Sequence, residues 1–139
     1  MSAKSFIDTN ILLYAVDKSP DHPEKTSTAR QLLTELDWAW SVQVAQEFYV
    51  NATSPRKGIA LSHDDASAYI KTWMAFPMAT NDGATLLEAL EIKKRVQLSF
   101  WDANIVAAAR QLGCSQVPTE DLNSGQDIAG IRIQNPFRI

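Results

Sequence analysis

Four acidic residues stand where a folded chain can bring them together: Asp8, Glu47, Asp102 and Asp121. Carboxylates that converge with no lysine or arginine beside them repel one another, and this repulsion raises their pKa values. A divalent cation removes the conflict, and such hard oxygen ligands suit Mg²⁺ or Mn²⁺. A bound ion of this kind polarises a phosphoryl oxygen and lowers the pKa of a bound water. The four acids therefore predict metal-assisted hydrolysis of a phosphodiester.

The elements that must position these acids are short apolar runs alternating with helical patterns. Apolar spacing predicts helices over residues 24–36, 84–95 and 102–112, and Ser62 begins a capping box for another helix. Strands alternating with helices favour a parallel sheet covered on both faces. We therefore expect an α/β fold, a three-layer α/β/α sandwich with a central parallel sheet of about five strands. The five predicted strands cover residues 5–7, 38–41, 76–80, 115–118 and 131–133.

The predicted sheet explains why these acids would meet. Ligand sites in such sheets lie beyond the carboxyl ends of the strands. Asp8 follows the first predicted strand and Asp121 follows the fourth, so both emerge at the same edge. Asp102 opens a helix whose N-terminus would face that edge. Glu47 shares a helical stripe with Val44 and other core-facing residues, where a lone buried carboxylate is costly.

Each acid has an expected role in this chemistry. Asp8 and Asp102 are the predicted primary ligands of the ion. Asp121 would complete the metal site directly or through water. Glu47 would bind a second ion or orient the attacking water.

Composition limits the remaining possibilities. With 139 residues and 45% hydrophobic content, the whole chain, residues 1–139, is expected to form one domain. The single Cys114 excludes an internal disulfide, and no apolar run reaches the roughly 20 residues that cross a bilayer. A cytoplasmic protein is expected. The net charge of −3 provides no overall basic field, so any nucleic acid would be contacted through a local patch, for which Arg56 and Lys57 after Ser54-Pro55 are the candidates.

Four motifs in order resemble the PIN domain in its VapC-type ribonuclease toxin form. They are the segment 6–12 with Asp8, Ser41 followed by Glu47, the segment 100–103 with Asp102, and Thr119-Glu120-Asp121-Leu122. The resemblance spans nearly the whole chain. It implies a Mg²⁺- or Mn²⁺-dependent endoribonuclease, usually a homodimer, that a VapB-type antitoxin holds inactive.

The resemblance also implies roles for individual residues. The four acids would form the catalytic quartet. Asn10 and Ser41 would support them by hydrogen bonds, and Thr119 would help to place the fourth acid. Glu120 stands beside Asp121, and either could point into the site. The motif favours Asp121.

Simpler structural roles exist for the same residues. Asp8 and Asp102 are suitable helix N-terminal residues, and Asp121 is a suitable turn former. The four tryptophans, including Trp101, are expected in the core or at an interface rather than stacked on nucleobases.

Other functional classes are less well matched. A phosphoacceptor receiver domain needs an adjacent acidic pair after the first strand, and a hydrolase with an aspartate nucleophile prefers a second acid where this chain has Asn10. A catalytically inactive interaction domain with the PIN fold stays open as the alternative.

Overall fold

Six strands form one sheet in the computed structural model, which describes residues 4–122 and 124–137. The order across the sheet is β3-β2-β1-β4-β6-β5, and every neighbouring pair is parallel except β5 with β6. The predicted α/β fold with a largely parallel sheet is confirmed. The strands are β1 (Ser5–Phe6), β2 (Trp38–Ser41), β3 (Met78–Ala79), β4 (Gln116–Pro118), β5 (Asp127–Ile128) and β6 (Ile131–Gln134).

Six α-helices connect the strands. Helix α1 packs against α2 and α3, α3 packs against α4, and α5 packs against α6. Helix α6 also contacts strands β2, β3, β4 and β6. Within the described ranges, every helix is too short or too polar to pass through a bilayer. The helices are α1 (Thr9–Val16), α2 (Pro23–Glu35), α3 (Val42–Thr53), α4 (His63–Trp73), α5 (Gly83–Arg95) and α6 (Phe100–Gln111), and a 3₁₀ turn covers Pro55–Lys57.

The sixth strand, β5, is an addition to the five that the sequence predicts. It pairs with β6 through a tight turn in which Ala129 and Gly130 both have positive φ, 52° and 87°. The Gly130 N–H donates to the Asp127 carboxylate over 2.9 Å, which closes the turn. Two strand residues are too few to show the alternation that identifies a strand in a sequence.

Strand β1 lies between β2 and β4, and this position determines where the site forms. Ser5 is in register with Trp38 on one side and with Gln116 on the other. Because all three strands are parallel, the segments that follow them leave the sheet at the same edge. Asp8 lies on the segment after β1, and Asp121 lies on the segment after β4.

An aromatic cluster fills the core beneath β2. Trp38 stacks on Phe76 with ring centroids 3.9 Å apart, and Trp40 meets Trp73 edge to face at 6.0 Å. Trp38 and Trp40 are fully buried. Burial of such rings is strongly stabilising, and these contacts hold β2 against the segment around Trp73 and Phe76.

Helix α6 begins two residues earlier than the sequence predicts. Ser99 is its N-cap, and the Ser99 hydroxyl accepts the Asp102 N–H over 3.0 Å. Asp102 therefore lies in the first turn rather than at the opening of the helix. Ser99 is a strong capping residue, and a first-turn acid is favoured by the helix dipole.

Candidate active site

All four predicted acids line one cavity of about 140 Å³ at the carboxyl edge of the sheet. The strand ends of β1 and β4 deliver Asp8 and Asp121, while helices α3 and α6 deliver Glu47 and Asp102. We call this the acid cavity. Its lining residues are Asp8, Thr9, Asn10, Glu47, Asn51, Trp101, Asp102, Ile105 and Asp121.

Asp8 is the buried acid of this set, with 5% of its surface exposed. Burial raises its pKa from 3.8 to about 7, and the negative charges of Asp121 and Glu120 act in the same direction. Hydrogen bonds from the Thr119 side chain and the Ile11 N–H oppose the shift. Asp8 also caps α1, since its carboxylate accepts the Ile11 N–H over 3.4 Å. The capping role and a role in the cavity therefore coexist in one residue.

The negative charges of nearby acids affect the pKa of Asp121. Partial burial raises its pKa, and the charges of Glu120 and Asp102 raise it further. A hydrogen bond from the Asn10 amide, 2.6 Å long, opposes this change. Asn10 thus connects α1 to the segment after β4, as expected of a supporting residue.

Glu120 points to a different set of partners from Asp121. Its carboxylate accepts from the Tyr14 hydroxyl over 2.5 Å and forms an ion pair with Lys25 over 2.8 Å. Partial burial would raise the pKa of Glu120, but the hydrogen bonds from Lys25 and Tyr14 outweigh it and lower the pKa. Of the two adjacent acids, Asp121 is the one that lines the acid cavity.

Glu47 is held by hydrogen bonds at both carboxylate oxygens. The Thr9 hydroxyl donates to Oε2 and the Gln43 side-chain amide donates to Oε1, each over 3.0 Å. The buried Asn104 amide in turn donates to the Gln43 carbonyl oxygen. These contacts fix the direction in which Glu47 faces the cavity.

Three supporting residues in this network, Thr9, Gln43 and Asn104, were not predicted from the sequence. Each carries a signal that could have identified it. Thr9 is adjacent to Asp8, and Gln43 stands one helical turn before Glu47. Asn104 interrupts an otherwise apolar helical run, where an unpaired amide would be costly.

Among the described residues, no lysine or arginine forms an ion pair with any of the four cavity acids. The ion pairs that these residues do form join Lys25 to Glu120, Arg95 to Glu91, and Arg110 to Glu88. The negative charge of the acid cavity is therefore compensated only by hydrogen bonds, which favours binding of a cation from solution.

Ser41 and Thr119, which the sequence predicts as supporting residues, each accept a hydrogen bond from the backbone. Ser41 is buried and caps α3 by accepting the Val44 N–H over 3.2 Å. The Thr119 hydroxyl accepts the Asp121 N–H over 3.1 Å, which shapes the segment that carries the fourth acid.

Arg56 and Lys57 lie on the exposed 3₁₀ turn. Lys57 also lines a second cavity of about 220 Å³, which shares Asn10 with the acid cavity.

Trp101 departs from the expected burial of tryptophan. Trp38, Trp40 and Trp73 are buried, whereas Trp101 is 61% exposed and lines the acid cavity. Its neighbour Asp102 lines the same cavity. Trp101 is therefore not in the core of this chain. Residue type alone does not say which side of a helix faces the core.

The donor set of the cavity fits a hard divalent cation. In the described part of the chain, no three His, Cys, Asp or Glu side chains are already arranged around one ion position. Mg²⁺ does not require such a cage, because it commonly keeps several waters and uses one or two carboxylates with substrate phosphate. Asp8 with one neighbouring acid would meet that need.

A thiol nucleophile is not part of this chemistry. Cys114 is buried between α6 and β4, and burial raises its pKa to about 11. A thiol in that environment stays protonated at neutral pH and is a poor nucleophile.

The sequence of this chain matches the model of a known protein family. The model of the PIN domain matches residues 5–127, a range that includes all four cavity acids. No curated protein sequence matches the chain significantly.

Solved structures also match. A toxin–antitoxin complex from Klebsiella pneumoniae matches with a TM-score of 0.71 and 18% identity over 97% of this chain and 99% of that chain. VapC20 from Mycobacterium tuberculosis, a toxin that cleaves the sarcin–ricin loop, matches with a TM-score of 0.64 and 21% identity over 84% of this chain and 91% of that chain. DNA-bound VapBC from Salmonella typhimurium matches with a TM-score of 0.64 and 19% identity over 97% of this chain and 99% of that chain.

Identities this low show a shared fold, and the family model supplies the assignment. Its match covers the strand ends and helices that carry the cavity acids. The chain belongs to the PIN domain family.

Proposed function

We propose that this protein is a metal-dependent endoribonuclease that hydrolyses RNA phosphodiester bonds, and that it is the toxin of a VapBC-type toxin–antitoxin pair. The observation that carries the proposal is the acid cavity, where four carboxylates meet without a lysine or arginine partner in the described ion pairs. The PIN domain match and the toxin–antitoxin structures of similar fold support it.

The residues of this chain would divide the work as follows. Asp8, Asp102 and Asp121 would hold Mg²⁺ or Mn²⁺, directly or through water. The ion, when bound, polarises the phosphoryl oxygen and lowers the pKa of a bound water. Glu47 is the candidate general base, because Thr9 and Gln43 fix both of its oxygens and orient it in the cavity.

Substrate and protein partners complete the proposal. Arg56 and Lys57 would neutralise RNA phosphates beside the cavity, with Ser41, Asn10 and Thr119 keeping the acids in place. A VapB-type antitoxin is proposed because solved structures of similar fold are toxin–antitoxin complexes, and a homodimer is proposed because the resemblance to VapC-type toxins implies one. Exposed apolar side chains, among them Val50 and Met74, give the chain surface that such partners bury. Residues 1–139 would act as one nuclease domain in the cytoplasm.

The test is cleavage of a panel of structured and single-stranded RNAs by purified protein with Mn²⁺, Mg²⁺ or EDTA. We expect cleavage by the wild type only with metal, and a loss of at least about a hundredfold in Asp8→Asn, because a primary metal ligand is removed. Asp37→Asn is the matched control, since Asp37 is an exposed acid that precedes β2 at the opposite edge of the sheet. Equal, metal-independent cleavage in all three proteins would rule out the nuclease.

The competing function is a catalytically inactive PIN-fold interaction domain. Asp8 supports this alternative, because it caps α1 and an inactive domain would keep it for that structural role. It predicts no RNA cleavage with any metal, together with stable binding of a protein partner.

A further inference from the structure

Trp101 is a large aromatic side chain that is exposed to solvent and lines the acid cavity. It is 61% exposed, and it shares the lining of this cavity with Asp102 and Ile105. Its position is the second residue of α6. Tryptophan is enriched at interfaces, where its ring makes apolar contact and its N–H reaches a polar partner.

The core does not explain why tryptophan stands at this position. The face of α6 that packs on the sheet is made of small and branched residues such as Ala103, Val106 and Ala107, all fully buried. Phe100, which is half-buried, meets the Trp101 ring edge to face at 5.3 Å and an angle of 76°. This contact restricts the indole and lowers the entropy that it would lose on binding a ligand.

The charge of the site favours an uncharged contact with the substrate. The chain has a net charge of −3, and the cavity itself is lined by four carboxylates. The acids themselves cannot neutralise phosphate, so neutralisation by side chains is left to positions beside the cavity such as Arg56 and Lys57. Stacking of a nucleobase on an aromatic ring adds affinity without requiring positive charge, and it tolerates any base.

We infer that Trp101 is a stacking platform for one nucleobase of single-stranded RNA, adjacent to the phosphate that the acids act on. The inference rests on the proposed function and adds a base subsite to it. A nucleobase is favoured as the occupant because Trp101 lines the same cavity as the acids, so an RNA that presents a phosphate to the acids brings an adjacent base next to the ring.

Tryptophan fluorescence tests the subsite without requiring cleavage. Trp38, Trp40 and Trp73 are at most 8% exposed, so a ligand that stacks on tryptophan from solvent reports on Trp101. The probe is a short single-stranded RNA, titrated into the wild type in EDTA and into Asp8→Asn in Mg²⁺, two conditions in which the proposed metal-dependent cleavage is lost. The same oligonucleotide with abasic residues is the control. We expect saturable quenching by the base-bearing probe and not by the abasic one.

Variants separate stacking from other effects of the residue. Trp101→Ala should weaken binding of the labelled base-bearing probe by about five- to a hundredfold in fluorescence anisotropy, the range of one lost base stack. Trp101→Phe should retain most of the affinity. Leu87→Ala is the matched control, because Leu87 is 65% exposed on α5 and should leave binding unchanged.

Each outcome decides the inference. Base-dependent quenching with an aromatic requirement at position 101 supports it, and it does so even if the protein cleaves no RNA, in which case only the nuclease proposal fails. Equal binding of base-bearing and abasic probes, or unchanged binding in Trp101→Ala, overturns it while metal-dependent cleavage can still stand. A change of oligomeric state in Trp101→Ala without any change in probe binding identifies an interface residue and also overturns it.

Discussion

The ammonium group of Lys25 lies 2.8 Å from the Glu120 carboxylate. This contact ties α2 to the segment that follows β4, and Tyr14 of α1 completes it. Glu120 is therefore engaged by a cation, while its neighbour Asp121 lines the acid cavity. The different directions of these two adjacent acids, of which the motif favours Asp121 for the site, depend on this contact.

Lys25→Met should destabilise the protein by about 1 kcal/mol, because it removes a partly buried ion pair. Urea unfolding of Lys25→Met, Glu120→Gln and the double variant should show coupling between the two sites. Lys25→Met combined with Asp121→Asn is the control and should be closer to additive. Stronger coupling of Lys25 to Asp121 than to Glu120 would contradict the assignment of Lys25 as the partner of Glu120.

Asp8→Asn should stabilise the metal-free protein at pH 8. The pKa of Asp8 is about 7 in the folded state and 3.8 in the unfolded state, so the folded protein holds this proton more tightly. The free energy of unfolding is therefore highest below the lower pKa and decreases as pH rises from the lower value to the higher one. The loss is on the order of a few kcal/mol at pH 8, and asparagine avoids it while still capping α1. Thermal unfolding in EDTA should show the gain at pH 8 and little difference near pH 4.

Asp82→Asn is the matched control for this measurement. Asp82 also caps a helix, α5, but it is exposed, and hydrogen bonds from the Thr85 backbone and side chain lower its pKa. Its replacement should not stabilise the protein at pH 8. A lower melting temperature for Asp8→Asn than for wild type in EDTA at pH 8 would contradict the picture of a strained buried carboxylate.

Thr9→Val should lower kcat/KM for RNA cleavage by about tenfold or more, because Glu47 loses the hydroxyl that orients one of its oxygens. Thr53→Val is the control, since the Thr53 hydroxyl donates to the Tyr49 carbonyl within α3 and touches no cavity acid. Cleavage rates and unfolding curves are measured for both. An equal loss of activity in the two variants would point to a general effect on α3 rather than to Glu47.

Lys57→Gln should reduce the salt dependence of RNA binding. If Lys57 neutralises one phosphate, the slope of log affinity against log salt should fall by about 1. Lys93→Gln, at the exposed end of α5, should leave the slope unchanged. Identical slopes for wild type and Lys57→Gln would remove Lys57 from the substrate contacts.

The sequence was sufficient to predict a largely parallel sheet with Asp8 and Asp121 just after two of its strands, because apolar runs and the acids that follow them are visible as local patterns. It was not sufficient for the hydrogen bonds around Glu47, which join Thr9 and Gln43 from different helices. The sequence was also not sufficient to predict that Trp101 is exposed. Both depend on how helices are rotated against the sheet, which only packing decides.

The central pairing of β1 with β4 also has a consequence for protein synthesis. The first acid of the cavity is made within eight residues of the start of this sequence, and the last is made at residue 121. A ribosome must therefore complete most of this sequence before the cavity can close, since a nascent chain forms only the contacts whose residues have emerged. Polypeptides released early would lack β4 and Asp121, so a prematurely terminated product would contain no closed acid cavity.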